Sequence, residues 1–143
     1  MHKVVVTGGA GFIGSNLVDV LIAQNIQVII IDDLSTGKLE NINKNAVFLQ
    51  HDLASISQKE LINIFSDIDV VFHLAALARV QPSIEDPFPY HHVNVTATLN
   101  ILYAAHKSNV KKVVYSASSS CYGNTDIIPQ SEDDPTNPLS PYG

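Results

Sequence analysis

The chain has 143 residues, the length of one domain, and 45% of them are hydrophobic. Its formal net charge of −6 at pH 7 argues against a nucleic-acid partner, because nucleic-acid binding usually needs a basic face. Cys121 is the single cysteine, so no intramolecular disulfide can form and a reducing compartment is expected. No apolar run approaches a membrane span, and the first residues lead into a strand rather than a signal peptide. We therefore expect one cytoplasmic domain over residues 1–143 that binds neither nucleic acid nor a membrane.

The first predicted elements are a β-branched strand at residues 3–7, a glycine-rich turn and an amphipathic helix. Gly8, Gly11 and Gly14 follow the spacing G-x-x-G-x-x-G, which in this context is typical of a dinucleotide site. Gly8 allows a positive φ, Gly11 lets a pyrophosphate approach the backbone, and Gly14 lets the helix lie against the sheet. The first helical amides would then point at the phosphates. A glycine-rich turn without a ligand is the alternative.

Asp32 closes the second strand-like run and lies 18 positions after Gly14. An acid at about this distance hydrogen-bonds the adenosine ribose of a bound dinucleotide. A carboxylate there also repels a 2′-phosphate, and the nearest cation, Lys38, lies beyond the following loop. The sequence therefore predicts NAD rather than NADP, while a solvated loop acid is the alternative for Asp32 alone.

Strand-like and helical runs alternate along the rest of the chain. The strand-like runs are residues 27–32, 46–50, 69–73 and 112–117. Helical patterns cover residues 57–65 and 94–107, the latter with an apolar stripe of Val95, Leu99 and Leu102. The alternation predicts an α/β fold with a doubly wound parallel sheet, the Rossmann fold, in strand order 3-2-1-4-5.

Two proline-rich stretches interrupt this alternation. Pro82, Pro87 and Pro89 precede the third helix, and four more prolines lie between residues 129 and 141. Neither stretch can be a central strand. We expect both to form loops over the carboxyl ends of the strands, where such folds bind ligands, with a solvated linker as the alternative for the second.

Hydroxyl side chains cluster after the fifth strand, in the sequence SASSS from Ser116 to Ser120, and the last four residues are Ser-Pro-Tyr-Gly, with the tyrosine at Tyr142. A hydroxyl cluster at the carboxyl end of a parallel strand would lie beside a bound dinucleotide. The serines could instead cap a loop by bonding its backbone. We expect His73, at the end of a buried strand, to be a core histidine with its hydrogen bonds satisfied, and no metal site.

Together these motifs resemble the extended short-chain dehydrogenase/reductases, and within them the NAD-dependent sugar-nucleotide epimerase/dehydratase family. The resemblance covers residues 4–143 and is carried by TGGAGFIG, Asp32, HDL at 51–53, HLAA at 73–76, Asn94, the serine cluster and SPYG. It implies NAD as the cofactor, a UDP-hexose or UDP-uronate as the substrate, epimerisation at the sugar C4, and a homo-oligomer.

The resemblance also implies a role for individual residues. Ser118 would hydrogen-bond the sugar hydroxyl that is oxidised, and Tyr142 would be the base that takes its proton. The cofactor-binding positions that it implies are Gly8, Gly11, Phe12, Ile13, Gly14, Asp32, Asp33, Ser35, Thr36, Gly37, Asp52, Leu53, Leu74, Ala75, Ala76, Ala78, Asn94, Ser116 and Tyr142.

The sequence departs from the family pattern after Tyr142. The family has a lysine four residues after this tyrosine, which here would be residue 146, and the sixth strand and the substrate-binding half are also absent. We expect an N-terminal fragment, a shortened chain or an interrupted gene product that binds NAD but has little or no turnover alone.

Two alternatives to an epimerase stay open. One is another oxidoreductase or dehydratase of the same superfamily. Dehydratases carry an acid pair just after the catalytic hydroxyl, where this chain has Ser119 and Ser120, so epimerisation is favoured. The other is a non-catalytic NAD-binding module, which the missing lysine makes admissible.

Overall fold

The computed structural model describes residues 1–126 and 128–143. Its strands are β1 Lys3–Thr7, β2 Gln27–Asp32, β3 Val47–Gln50, β4 Val70–His73 and β5 Lys112–Tyr115. Its helices are α1 Phe12–Ala23, α2 Gln58–Ile64, α3 Val80–Glu85, α4 Pro87–Tyr90 and α5 Ala97–Lys107. A π-helix, His91–Thr96, leads into α5, and 3₁₀ turns cover Leu39–Asn41 and Ser119–Tyr122.

The five strands form one parallel sheet in the order β3-β2-β1-β4-β5, which confirms the predicted fold and strand order. Thr7 at the end of β1 is level with Ile31 of β2 and with His73 of β4, so these strands end at the same edge of the sheet. β3 and β4 begin one residue later than predicted, and β5 ends at Tyr115, so Ser116 belongs to the following loop.

Two apolar cores lie on opposite faces of the sheet because successive strand residues point to opposite faces. Val4 and Val6 pack towards α1, whereas Val5 packs towards α2 and α5. All three valines are fully buried. Because both faces of the sheet are buried, its central strands must be apolar at successive positions, as the sequences of β1 and β2 are.

The proline-rich segment before the third predicted helix is not the expected loop. Pro82 lies in the first turn of α3, and Pro87 is the first residue of α4. A proline in the first turn costs no hydrogen bond, because the amide that it lacks would have no partner in the helix. Asp86 caps α4 by accepting a hydrogen bond from the Phe88 amide at 3.3 Å. The prediction of a loop for this segment is therefore wrong.

The third predicted helix also differs from the expectation. Its helical backbone starts before residue 94, in the π-helix, and the stripe of Val95, Leu99 and Leu102 is 52%, 64% and 48% exposed. The residues of α5 that are buried instead are Ala97, Ile101, Ala104 and Ala105. Three alanines and Ile101 therefore form the face of α5 that packs on the core, whereas Val95, Leu99 and Leu102 lie away from it.

Among the described residues, no helix combines the length and hydrophobicity that crossing a membrane would require. β5 forms one edge of the sheet, and Val114 and Tyr115 on it are exposed. The carboxyl edge of β1, β2 and β4, by contrast, is covered by loops and carries a cleft.

Candidate functional site

A cleft of about 380 Å³ lies where β1, β2 and β4 end. Its walls come from the turn between β1 and α1, from the loops that follow the other strands, and from the π-helix and the start of α5. The residues that line it are Gly8, Gly11, Phe12, Ile13, Gly14, Asp32, Asp33, Ser35, Thr36, His51, Asp52, Leu53, Leu74, Ala75, Ala76, Leu77, Ala78, Val93, Ala97 and Ser116.

The glycine turn has the geometry of an anion cradle. Gly8 has a φ of +69°, and a Cβ on it would lie 2.8 Å from the Ala75 amide nitrogen. A Cβ on Gly14 would overlap the carbonyl oxygen of Gly8, so α1 can approach β1 only because residue 14 has no side chain. Gly11 precedes α1 with no side-chain cap, and the first amides of a helix have no partner within it. These amides are therefore available to a negatively charged ligand.

The Asp32 carboxylate is held by two backbone amides, one from the glycine turn and one from the loop after β2. Its Oδ2 accepts a hydrogen bond from the Ala10 amide at 2.9 Å, and its Oδ1 accepts one from the Leu34 amide at 2.8 Å. Each carboxylate oxygen retains a lone pair for a further donor. The side chain lines the cleft although the residue is only 7% exposed, so its carboxylate is fixed in place before any ligand arrives.

Asp52 forms the next part of the cleft, after β3. Partial burial disfavours its charged form, but hydrogen bonds from Ser55 Oγ and the Ala54 amide, together with the nearby His92, outweigh burial and lower its pKa. The His92 Nε2 atom lies 3.6 Å from Asp52 Oδ2, so the π-helix and the β3 loop meet at this end of the cleft. Asp52 is therefore ionised at neutral pH.

The wall after β4 is tied to the glycine turn through buried side chains. Thr7 Oγ1 accepts hydrogen bonds from the amides of Leu74 at 3.1 Å and Ala75 at 3.2 Å, so its hydrogen donates to His73 Nδ1 at 2.7 Å. Nδ1 is then an acceptor, and Nε2 carries the hydrogen and donates to Thr98 Oγ1 at 2.9 Å. The prediction of a core histidine with satisfied bonds is confirmed, and this histidine joins β1, β4 and α5.

Asn94 supports the same wall from the π-helix. Its Oδ1 accepts a hydrogen bond from the Leu77 amide at 2.8 Å, and its Nδ2 donates to the Leu77 carbonyl at 2.9 Å. A side-chain amide that satisfies both backbone groups of one residue fixes that residue firmly. Asn94 therefore stands behind the cleft wall rather than in it.

We predict a loss of stability in mild acid that comes from His73. Burial lowers its pKa from 6.5 to about 4, so the unfolded chain takes up the proton first as the pH falls. The free energy of unfolding should therefore decrease between about pH 6.5 and pH 4, by up to about 3 kcal/mol for this group. Urea unfolding at a series of pH values measures it.

The matched variants for this prediction are His73→Gln and, at an exposed position on α5, His106→Gln. The first should be less stable at neutral pH but lose less stability on acidification. The second should follow the wild-type curve. An equal pH dependence in all three proteins would contradict the prediction, because it would mean that folding does not lower the pKa of His73.

The structure brings together most of the predicted cofactor residues but not all of them. Those that do not line the cleft are Gly37, Asn94 and Tyr142. A Cβ on Gly37 would lie 3.0 Å from Asp32 Oδ1, so this glycine packs behind the aspartate. The sequence prediction missed four lining residues, which are His51, Leu77, Val93 and Ala97. Leu77 continues the apolar run after His73, whereas Val93 and Ala97 enter only because a helix packs across the cleft.

Neither of the two predicted catalytic residues, Ser118 and Tyr142, is among the residues that line the cleft. Ser118 Oγ accepts a hydrogen bond from the Ser120 amide at 3.2 Å and so caps the 3₁₀ turn, as the alternative interpretation expected. The hydroxyl hydrogen of Ser118 is not used by this bond and can donate elsewhere. Tyr142 is half-buried, and its amide donates to Ser83 Oγ at 3.2 Å.

No group of three or more His, Cys, Asp or Glu side chains in the described part of the chain could hold a metal ion.

Known proteins share this sequence and fold. The model of the family described as "NAD dependent epimerase/dehydratase family" matches residues 4–143. The chain is 41% identical over 145 residues to the UDP-glucose 4-epimerase of Mycolicibacterium smegmatis, a match that covers 98% of this chain and 46% of the relative.

Solved structures agree with the sequence matches. A UDP-N-acetylglucosamine 4-epimerase from Methanobrevibacter ruminantium M1, in complex with UDP-N-acetylmuramic acid, superimposes with a TM-score of 0.92 at 44% identity, over 99% of this chain and 46% of that one. A UDP-glucose 4-epimerase from Brucella ovis in complex with NAD has a TM-score of 0.92 at 33% identity, over 99% and 43%. The chain thus spans less than half the length of these relatives.

Proposed function

Since the chain belongs to the NAD dependent epimerase/dehydratase family, we propose that it is the NAD-binding part of a nucleotide-sugar 4-epimerase. The observation that carries the proposal is the cleft in which the glycine turn, Asp32 and the loop after β4 meet. UDP-sugars are the proposed substrate class because the similar proteins are named as epimerases of UDP-glucose and UDP-N-acetylglucosamine.

The residues of the cleft fit NAD. The unpartnered amides at the start of α1 would hold the diphosphate, and the missing Cβ of Gly11 leaves room for it. The free lone pairs of the fixed Asp32 carboxylate would accept hydrogen bonds from the ribose hydroxyls. Bound there, NAD⁺ would supply the hydride acceptor for oxidation of the sugar carbon, and the hydride donor for its reduction from the opposite face.

Tyr142 and Ser118 would handle the proton of the sugar hydroxyl. Tyr142 would take the proton from the hydroxyl oxygen, and the free hydroxyl hydrogen of Ser118 would bridge to the same oxygen. Tyrosine side chains in water lose their proton only near about pH 10, so a base of this type needs positive charge beside it. Within residues 1–126 and 128–143, no lysine or arginine forms an ion pair or hydrogen bond with Tyr142, which supports little or no turnover by this chain alone.

The serines after Ser118 favour epimerisation over elimination of water. Ser119 and Ser120 begin the 3₁₀ turn, at the positions where the dehydratases that resemble this chain carry acids. Removing water needs a group that protonates the leaving hydroxyl. Neither serine can supply a carboxylic acid there.

Calorimetry with NAD⁺ and chromatography of UDP-glucose incubated with the chain and NAD⁺ test the proposal. We expect NAD⁺ to bind and UDP-galactose to form slowly or not at all. Any slow conversion should disappear in Tyr142→Phe, which keeps the ring and removes the hydroxyl. A product that has lost water would identify a dehydratase, and conversion that persists in Tyr142→Phe would contradict the role of Tyr142.

A further inference from the structure

Ser83 is a fully buried polar side chain that the proposed reaction does not use. Its hydroxyl donates to the Val80 carbonyl at 2.6 Å, within the same short helix, α3. Because the single hydroxyl hydrogen is used there, the oxygen is free to accept, and it accepts from the amide of Tyr142 at 3.2 Å. The bond joins residues 59 positions apart.

Tyr90, at the end of α4, contacts the side chain of the same tyrosine. The two rings meet edge to face, with their centroids 6.4 Å apart and their planes at 83°. The Tyr90 hydroxyl donates to the Ala78 carbonyl at 3.0 Å, and Ala78 lines the cleft. The position of the Tyr142 ring is thereby linked to the cleft wall.

The segment that carries these contacts is fixed at its start. Arg79, between Ala78 and α3, has a φ of +91°, a conformation that is strained for a residue with a long side chain. Such strain persists only where the surrounding structure determines the backbone. The chain therefore turns from the cleft wall into α3 in one defined direction, and Ser83 is carried to the amide of Tyr142.

We propose that Ser83 and Tyr90 are positioning residues, which hold the backbone and the ring of Tyr142 in a fixed place relative to the cleft wall. The inference rests on the proposed role of Tyr142 as the base. It adds that α3 and α4, the proline-rich segment, set the distance between this phenol and the cofactor. Neither residue needs to touch the substrate.

The experiment labels the tyrosine rings of the 143-residue chain with ¹³C at Cζ and follows Tyr142 by NMR with and without NAD⁺. The loss of one signal in Tyr142→Phe assigns the resonance. In the wild type, NAD⁺ should shift the Tyr142 signal and move its titration to lower pH, because the nicotinamide ring brings positive charge close to the phenol. If NAD⁺ binds in the wild type but leaves this signal unchanged, the proposed role of Tyr142 fails and the inference falls with it.

Ser83→Ala tests the inference itself, with the exposed Ser66→Ala as the matched control for the same chemical change. We expect Ser83→Ala to bind NAD⁺ within about twofold of the wild type and to lose at least about half of the Tyr142 response, while Ser66→Ala keeps all of it. Tyr90→Phe, which retains the ring but releases Ala78, should reduce the response in the same direction. A full response in Ser83→Ala would overturn the inference. If Ser83→Ala does not fold, the near-isosteric Ser83→Cys takes its place with the same expected result.

Discussion

Replacing Gly11 by alanine is expected to raise the dissociation constant for NAD⁺ about a hundredfold or more while the chain stays folded. A Cβ at this position would meet only the Gly8 carbonyl oxygen, at 3.2 Å, and the backbone φ of −78° suits any residue. The added methyl group would stand where the diphosphate must approach the amides of α1. If the methyl group prevents two hydrogen bonds from these amides to the charged diphosphate, the loss is about 3 kcal/mol or more. This corresponds to a dissociation constant about a hundredfold higher. Calorimetry measures the affinity, and urea unfolding measures the stability.

The matched variant is Gly14→Ala, which carries the same methyl group three residues further on. Here the Cβ would overlap the Gly8 carbonyl oxygen and would lie 2.8 Å from the Gly9 Cα, so the backbone itself must move. We expect a loss of about 3 kcal/mol or more in the free energy of unfolding. Gly11→Ala should therefore mainly lower the affinity for NAD⁺, whereas Gly14→Ala should mainly lower the free energy of unfolding. If Gly11→Ala binds NAD⁺ like the wild type, the diphosphate does not lie against this turn.

Asp32→Asn is expected to raise the dissociation constant for NAD⁺ by about tenfold to a hundredfold, since a hydrogen bond to a charged group contributes about 1.5–3 kcal/mol. The variant should also be less stable by about 1–2 kcal/mol, because an amide NH₂ would face either the Ala10 or the Leu34 amide, and both are donors. Calorimetry must therefore be run where circular dichroism shows the variant to be folded.

Asp67→Asn is the control for Asp32→Asn. Asp67 is exposed and has a φ of +62°, a conformation that asparagine tolerates well, so neither affinity nor stability should change. The wild type should bind NAD⁺ more tightly than NADP⁺, because the carboxylate repels a 2′-phosphate, and Asp32→Asn should narrow that preference. Tighter binding of NADP⁺ by the wild type would place Asp32 away from the ribose.

The glycine turn, Asp32 and the strand order could be predicted because local chemistry determines them. Gly8 combines a positive φ with a position where a Cβ would lie 2.8 Å from the Ala75 amide nitrogen, and Gly14 has no room for a Cβ either, so only glycine fits at both positions. The alternation of apolar strands and helices leaves few allowed connections, and the glycine turn after β1 with an acid at the end of β2 is typical of the order 3-2-1-4-5 that the structure has.

The helix across the cleft could not be predicted as well. The apolar stripe of Val95, Leu99 and Leu102 suggested which face is buried, yet the alanine face packs on the sheet. Pro82 and Pro87 suggested a loop, but each lies in the first turn of a helix. The helix could bury either its large apolar stripe or its alanine face, and the prolines are compatible with either a loop or the first turn of a helix. Only packing against neighbouring elements selects one structure in each case.

The sequence by itself determined the part of the cleft proposed to bind the cofactor, because it is built from consecutive residues around one turn and one strand end. Only the tertiary structure decided how the cleft wall and Tyr142 are held, through the bonds of Thr7 to His73, Asn94 to Leu77, and Ser83 to Tyr142. These pairs are 66, 17 and 59 residues apart in the chain. Partners so distant leave no local spacing pattern, and they meet only when the sheet brings β1, β4 and the segments after them to one edge.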